Sequence, residues 1–200
     1  QANDLELLAT SAYLTGQFNA CNDIWTRAHN SYLNGDDIPG AVRCAFWLGF
    51  TLMNKGETVR GGGWIGHARK LLDERPINCV EQGYLFLPVA LRSLGTGDIQ
   101  GSIDAFNQAL EIGNKFRDQN LLTLAHLGHG QALIRSGESN KGVTFLDEAM
   151  VAVESGGLSP VVAGIVYCAV IEACVEIADL LRAPTSSSTN RRSATELLRI

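Results

Sequence analysis

Charge is scarce in this chain: Asp, Glu, Lys and Arg make up 18% of its 200 residues, against about a quarter in ordinary soluble domains. A surface short of charge leaves apolar area uncovered, so a partner or self-association is expected. Basic residues are scarcer still. Sixteen Lys and Arg stand against 21 Asp and Glu, for a net charge of −5 and a pI near 5.3. Phosphate backbones are held by clustered cations, so direct nucleic-acid binding by this chain is not expected. No Cys-x-x-Cys pair occurs. The five cysteines (Cys21, Cys44, Cys79, Cys168 and Cys174) are odd in number and scattered through apolar pattern. They read as reduced, buried small hydrophobes of a cytoplasmic protein rather than as a disulfide framework.

Long apolar runs are missing too. Val161 to Ile171 is eleven residues before Glu172 interrupts it, with Glu176 and Asp179 close behind. That reads as a buried core helix, not a membrane span. The opening Gln-Ala-Asn-Asp-Leu-Glu has neither a basic start nor an apolar segment, so export is not expected, and the lack of an initiator Met is expected of a trimmed chain. Catalytic signatures are absent as well: there is no Gly-x-Ser-x-Gly, no His-Glu-x-x-His and no acid pair in a recognisable context. An enzyme is therefore not expected, nor a cofactor. Gly61-Gly62-Gly63-Trp64 lacks the Gly-Lys-Ser/Thr ending of a phosphate loop, and its expected role is close helix packing. His126 and His129 share one helical face, with Cys168 a candidate neighbour on the next helix, but no metal motif surrounds them and no metal is expected.

What the chain does have is an internal beat. Glycines at 16, 56, 97 and 137 recur at intervals of 40, 41 and 40, each followed by a polar residue: Gln17, Glu57, Asp98 and Glu138. Twelve residues after each stands an alanine (Ala28, Ala68, Ala109, Ala149), and three before that alanine a large apolar residue (Trp25, Ile65, Phe106, Leu146). A period of this length marks a stacked repeat. Before each glycine the apolar residues fall at helical spacing, as in Leu5, Leu8, Ala9, Ala12 and Tyr13. The glycine ends that helix in the left-handed conformation, and a second amphipathic helix follows. The predicted fold is an all-α solenoid of antiparallel helix pairs, about four and a half repeats of 40–41 residues, over residues 1–182. The fifth unit begins with a capping Ser159-Pro160 and a long apolar helix from Val161 to Arg182. It then meets the low-complexity stretch Pro184 to Asn190, so residues 183–200 read as a solvated tail in which Arg191 and Arg192 have no partner, and the array is expected to be truncated there.

The period and the glycine–alanine beat resemble tetratricopeptide-like repeats in a longer form. More closely, Arg43-Cys-Ala-Phe-Trp-Leu-Gly-Phe-Thr-Leu52, Cys79-Val-Glu-Gln-Gly-Tyr84, Asp147-Glu-Ala-Met-Val-Ala-Val153 and the run from Ser159 to Cys174 are similar to the helical-repeat region of large actinobacterial LuxR-type transcriptional regulators, over about residues 4–182. In that family the repeats accompany a helix-turn-helix domain, which this chain does not contain, so the resemblance implies a noncatalytic protein–protein interaction or regulatory module. Carrying the family's groove-facing spacing onto this chain selects Arg43, Phe46, Phe50 and Met53, then Tyr84, Leu87, Leu91 and Leu94, then Leu124, Leu127, Gln131 and Ile134. That lining is mostly apolar. It suits an amphipathic helix or hydrophobic peptide, and as the alternative an apolar small molecule bound by a cytosolic sensor, better than a peptide carboxylate, for which Arg43 is the one suitable cation. The last apolar helix, with no second helix to cover it, is expected to form a homodimer through Val161, Val162, Ile165, Val166 and Ala169.

Overall fold

The computed structural model describes residues 1–182. The tail and its arginines lie outside the described residues. Among these residues there are helices and no strands, in the order α1 (Ala2–Leu14), α2 (Phe18–Asn34), α3 (Ile38–Asn54), α4 (Thr58–Glu74), α5 (Glu81–Tyr84), α6 (Leu87–Gly95), α7 (Ile99–Phe116), α8 (Gln119–Arg135), α9 (Ser139–Glu154) and α10 (Pro160–Arg182). Contacts divide the chain into two compact units, Gln1–Val89 with Glu111–Asp118, and Ala90–Leu110 with Gln119 onward.

The glycine beat becomes one turn made four times. Gly16, Gly56, Gly97 and Gly137 have φ of +74°, +83°, +82° and +89°, a region open to glycine and strained for residues with a Cβ. At each, the glycine N–H bonds back three residues and the following N–H bonds back five: Gln17 to Ala12 at 2.8 Å, Glu57 to Leu52 at 3.0 Å, Asp98 to Ser93 at 2.9 Å and Glu138 to Leu133 at 2.9 Å. Carbonyls that the first helix would leave bare are thereby satisfied, and the chain reverses into the second helix.

A second regularity fixes how closely the helices of a pair approach. Seven residues before and five after each turn glycine sit small residues: Ala9 with Cys21, Gly49 with Gly61, Ala90 with Ser102, and Gly130 with Gly142. A Cβ built on Gly61 would lie 2.6 Å from the Gly49 carbonyl oxygen, and one on Gly142 would lie 2.6 Å from that of Gly130. Backbone meets backbone at these two crossings. Beside them the large residues Trp25, Ile65, Phe106 and Leu146 and the alanines Ala28, Ala68, Ala109 and Ala149 are all buried. In the first unit, Trp25 and Ala28 join Ala9, Ala12, Cys21, Tyr32, Ala41, Cys44, Leu48 and Leu52 in one core.

The third pair departs from the simple helix expected. Its first helix is split into α5 and α6 by a turn at Leu85 and Phe86. Pro88 is the cause: it offers no N–H, and its ring would meet the carbonyl of Tyr84 in a continuous helix, so it is accommodated in the first turn of α6 instead. In the Gly61–Gly63 run, Gly61 is the glycine in close packing, while Gly62 and Gly63 have nothing within 4 Å of a built Cβ. Two cysteines also differ from expectation. Cys21, Cys44 and Cys79 are buried, but Cys168 and Cys174 are exposed on α10.

Candidate interaction site

Of the groove residues expected from the sequence, Arg43, Phe46, Phe50, Met53, Tyr84 and Leu87 belong to the first unit. Arg43 on α3 stands between two carboxylates. Its Nε and Nη2 donate to Oε1 and Oε2 of Glu6 on α1 at 2.6 and 2.8 Å, and its Nη1 donates to Oε1 of Glu81 on α5 at 2.9 Å. The Tyr32 hydroxyl donates to the same Glu6 at 2.8 Å, and its ring lies 5.7 Å from the guanidinium. The hydrogen bonds Arg43 donates to Glu6 are the leading cause that holds it charged, and burial with the Glu6 contact pushes the Tyr32 phenol up to about 12. Arg43 thus ties three first helices together, with three of its five N–H donors engaged within the chain.

The aromatic residues next to it fill space. Phe46 is 1% exposed and meets Trp47 and Tyr84 edge-on at 5.1 and 5.2 Å. Tyr84 is buried and donates its hydroxyl to Asp118 at 3.0 Å, and burial followed by that carboxylate raises its pKa well above the ordinary range. Leu87 is buried, while Phe50 and Met53 are half-buried. Of the apolar groove residues expected in this unit, Phe50 and Met53 keep part of their surface open, beside the half-buried Trp47, a residue the groove spacing did not select. In the second unit Leu91 is exposed and Gln131 half-buried, whereas Leu94, Leu124, Leu127 and Ile134 are buried.

Sequence reasoning missed Glu6, Glu81 and Tyr32. A signal existed but is out of step with the beat: Glu6, Arg43 and Glu81 precede their turn glycines by 10, 13 and 16 residues, one helical turn earlier in each unit. Strict repeat alignment does not line them up.

The histidines are also packed among aromatic rings. His126 and His129 flank Phe145, edge-on at 5.5 Å and stacked at 4.8 Å, and burial lowers the pKa of both. His29 is buried, with Nδ1 2.8 Å from the Ala41 carbonyl and Nε2 3.2 Å from Nε2 of His67. The carbonyl can only accept, so His29 carries its proton on Nδ1 and receives a hydrogen bond from His67. Among the described residues no three His, Cys, Asp or Glu side chains converge on a metal position.

In the second unit α10 packs on α8 and α9. Ser159 caps it, accepting from the Val162 N–H at 3.3 Å, and Arg135 on α8 meets Glu176 at 3.2 Å. The inward stripe is Val161, Val162, Val166 and Ala173, all buried, with Ile165 and Ala169 half-buried. Three of the five residues assigned to a dimer are therefore already covered by their own chain. On the opposite face, Gly164, Tyr167, Cys168, Ile171, Cys174 and Val175 are exposed, with Tyr167 at 49%, Ile171 at 63% and Val175 at 57%. Among the described residues α10 is also the one helix long and apolar enough to cross a membrane, over Pro160–Ala178.

No family model matches the chain, and no curated protein matches it by sequence. Solved structures do match by fold, two of them as follows. BtubC (BKLC) from P. vanneervenii aligns with a TM-score of 0.54 at 13% identity, covering 80% of this chain and 66% of that one, so the chain spans just under two thirds of that protein. TTC0263, a thermophilic TPR protein in Thermus thermophilus, aligns over 100% of both chains with a TM-score of 0.50 at 16% identity. These likenesses show the fold: an all-α, tetratricopeptide-like array of helix pairs.

Proposed function

We propose that this chain is a noncatalytic protein–protein interaction module whose contact surface is the outer face of α10. One observation carries the reading: a helix of 23 residues exposes Tyr167, Ile171 and Val175 along one side. Polar capping is the rule for terminal repeats, because an uncovered apolar face lowers solubility. Burying roughly 500 Å² of such surface is worth on the order of 12 kcal/mol before the costs of association. The groove residues Phe50 and Met53 form a smaller contact area beside the engaged Arg43. A place in a LuxR-type regulator rests on the sequence segments quoted above, with α10 as the contact to the rest of the assembly.

Cys168 and Cys174 report directly on the face. Maleimide labelling of the full chain is expected to slow as the protein, or an added binding protein, is raised in concentration, and Ile171→Glu is expected to abolish that protection. Labelling at the rate of a free thiol under every condition overturns the reading.

A further inference from the structure

We infer that the outer face of α10 is a self-association surface, on which a second copy of this chain lays its own α10 antiparallel across a two-fold axis at Ile171. The inference rests on the reading of α10 as the contact surface and names its occupant.

Side-chain volume excludes one kind of occupant. Continued by 41 residues from Gly130, the repeat beat places Ile171 at the register position held by Ala9, Gly49, Ala90 and Gly130 in the other units, although α10 has no turn at Ala178 and runs on to Arg182. At Gly130 the second helix comes so close that a built Cβ would be 2.8 Å from the Gly142 carbonyl oxygen. An isoleucine, 63% exposed, holds any helix well away from that approach. A repeat-type second helix therefore does not fit α10, and a helix contributing its own side chains to a seam does.

The face is also self-complementary. Ile171 is the midpoint of Pro160–Arg182. About it the residues of the outer face pair off in an antiparallel arrangement: exposed Tyr167 lies opposite exposed Val175 of the second copy, Cys168 opposite Cys174, and exposed Gly164 opposite the half-buried Ala178. Tyr167 faces the smaller Val175 and Ala178 faces Gly164, each of the three pairs occurs twice, and Ile171 meets its own copy on the axis, as an isologous dimer requires. The spacing Gly164, Tyr167, Ile171, Cys174, Ala178 alternates steps of three and four, the seam of a two-helix contact. A parallel pair would instead set Glu172 beside Glu172 and Tyr167 against Tyr167, and would align the two helix dipoles.

The area of the face sets the strength of the contact. A helix of 23 residues is about 34 Å long, and a strip about 12 Å wide gives roughly 400 Å² in projection for each copy. The pair buries about 800 Å², just under the roughly 1,000 Å² that separates transient from stable association. The dimer is accordingly reversible.

The register is tested with Cys168→Ser and Cys174→Ser, each made in the full chain and oxidised with diamide, which takes one hydrogen from each thiol as the S–S bond forms. Cys21, Cys44 and Cys79 are buried and silent. Antiparallel pairing sets a Cys174 about 9 Å along the helix from its own counterpart, beyond the Cα spacing a disulfide accepts. The two variants mixed are therefore expected to give a covalent dimer that neither gives alone, and Ile171→Glu, with helicity unchanged by circular dichroism, is expected to weaken self-association by about 100-fold, the scale of two carboxylates buried without partners. Cross-linking of each variant alone overturns the antiparallel register. A monomer in sedimentation at every concentration, with no cross-link, overturns self-association. If an added protein then still protects Cys168 and Cys174, the contact-surface reading survives without this one.

Discussion

Replacing Gly61 by Ala sets two opposed forces against each other in a single methyl group. The helical gain is the ordinary one: Ala in place of Gly in a helix interior is worth about 1 kcal/mol. Against it stands the approach of α3 to α4. The new Cβ would lie 2.5 Å from Met53 Cγ, 2.6 Å from the Gly49 carbonyl oxygen and 3.1 Å from the Met53 nitrogen. Met53 can swing its half-buried side chain aside, but the carbonyl moves only if the helices part. Restoring van der Waals contact needs about 0.8 Å, a gap that forfeits a quarter to a half of each attraction across the seam. Overpacking of this kind costs about 1–3 kcal/mol and occasionally more. The expected net effect is a loss of up to about 2 kcal/mol. Gly62 and Gly63, one and two residues on, have open space at their Cβ positions, so Ala at either is expected to stabilise by about 0.5–1 kcal/mol. Neighbouring glycines should therefore shift the urea midpoint in opposite directions at constant m-value, and shift Tm by about 2–4 °C per kcal/mol. Gly142→Ala should fall with Gly61→Ala, since it meets Ile134 Cγ1 and the Gly130 oxygen at 2.6 Å each. Equal stabilisation by all four substitutions would refute the close crossing.

Three further outcomes follow from the same geometry. Arg43→Met leaves the Glu6 and Glu81 side chains, 14% and 6% exposed, without their cation. Because Arg43 itself is 35% exposed, the expected loss in urea unfolding is about 2–3 kcal/mol rather than the larger cost of a fully buried pair, and adding Glu6→Gln should recover part of it. His126 and His129 are held below the ordinary 6.5, first by burial. The unfolded chain binds their protons at higher pH than the folded one, so their contribution is full above about pH 6.5 and falls as pH drops below it; urea midpoints between pH 8 and pH 5 should show a slope that the double substitution to Gln flattens. Gly97→Ala, at φ +82° with nothing within 4 Å of its Cβ, should lose about 1–2 kcal/mol from backbone conformation alone, and Gly97→Asn less, by thermal unfolding.

The four turn glycines are readable in the sequence because one backbone conformation demands that residue, and the same demand recurs every 40 or 41 residues. The buried alanines and large residues are readable because they keep step with it. Arg43 is legible as a groove cation, but its engagement is not, since Glu6 and Glu81 drift by one turn per unit and no repeat alignment joins them. The break between α5 and α6 is written in Pro88 and masked by apolar spacing that continues across it. The inner and outer faces of α10 illustrate a physical limit: a helix apolar on nearly every side has no amphipathic stripe to say which side is covered. Val162 and Val166 are as hydrophobic as Ile171 and Val175, and only the neighbours α8 and α9 decide between them.

An uncovered face also exists on the first helix, and comparing the two shows why the contact is assigned to the last. α1 exposes Leu7, Leu8 and Leu14, but the same side carries Asn3, Asp4, Ser11 and Thr15, so its leucines are divided by groups that hold water. Phe18, the next exposed apolar residue, is already engaged, edge-on to Tyr13 at 5.9 Å and beneath the Lys55 ammonium at 4.6 Å. On α10 the exposed residues from Gly164 to Val175 include a single charge, Glu172, beside the seam rather than within it. Ala9, at the register position of Ile171, is small and already covered by α2. The side-chain volume at that one position separates a helix closed by its own partner from a helix that meets something else. Enlarging the small residue in a closed pair, as Gly61→Ala does, should cost stability, whereas trimming Ile171 to Ala should leave the fold intact and weaken the contact between copies.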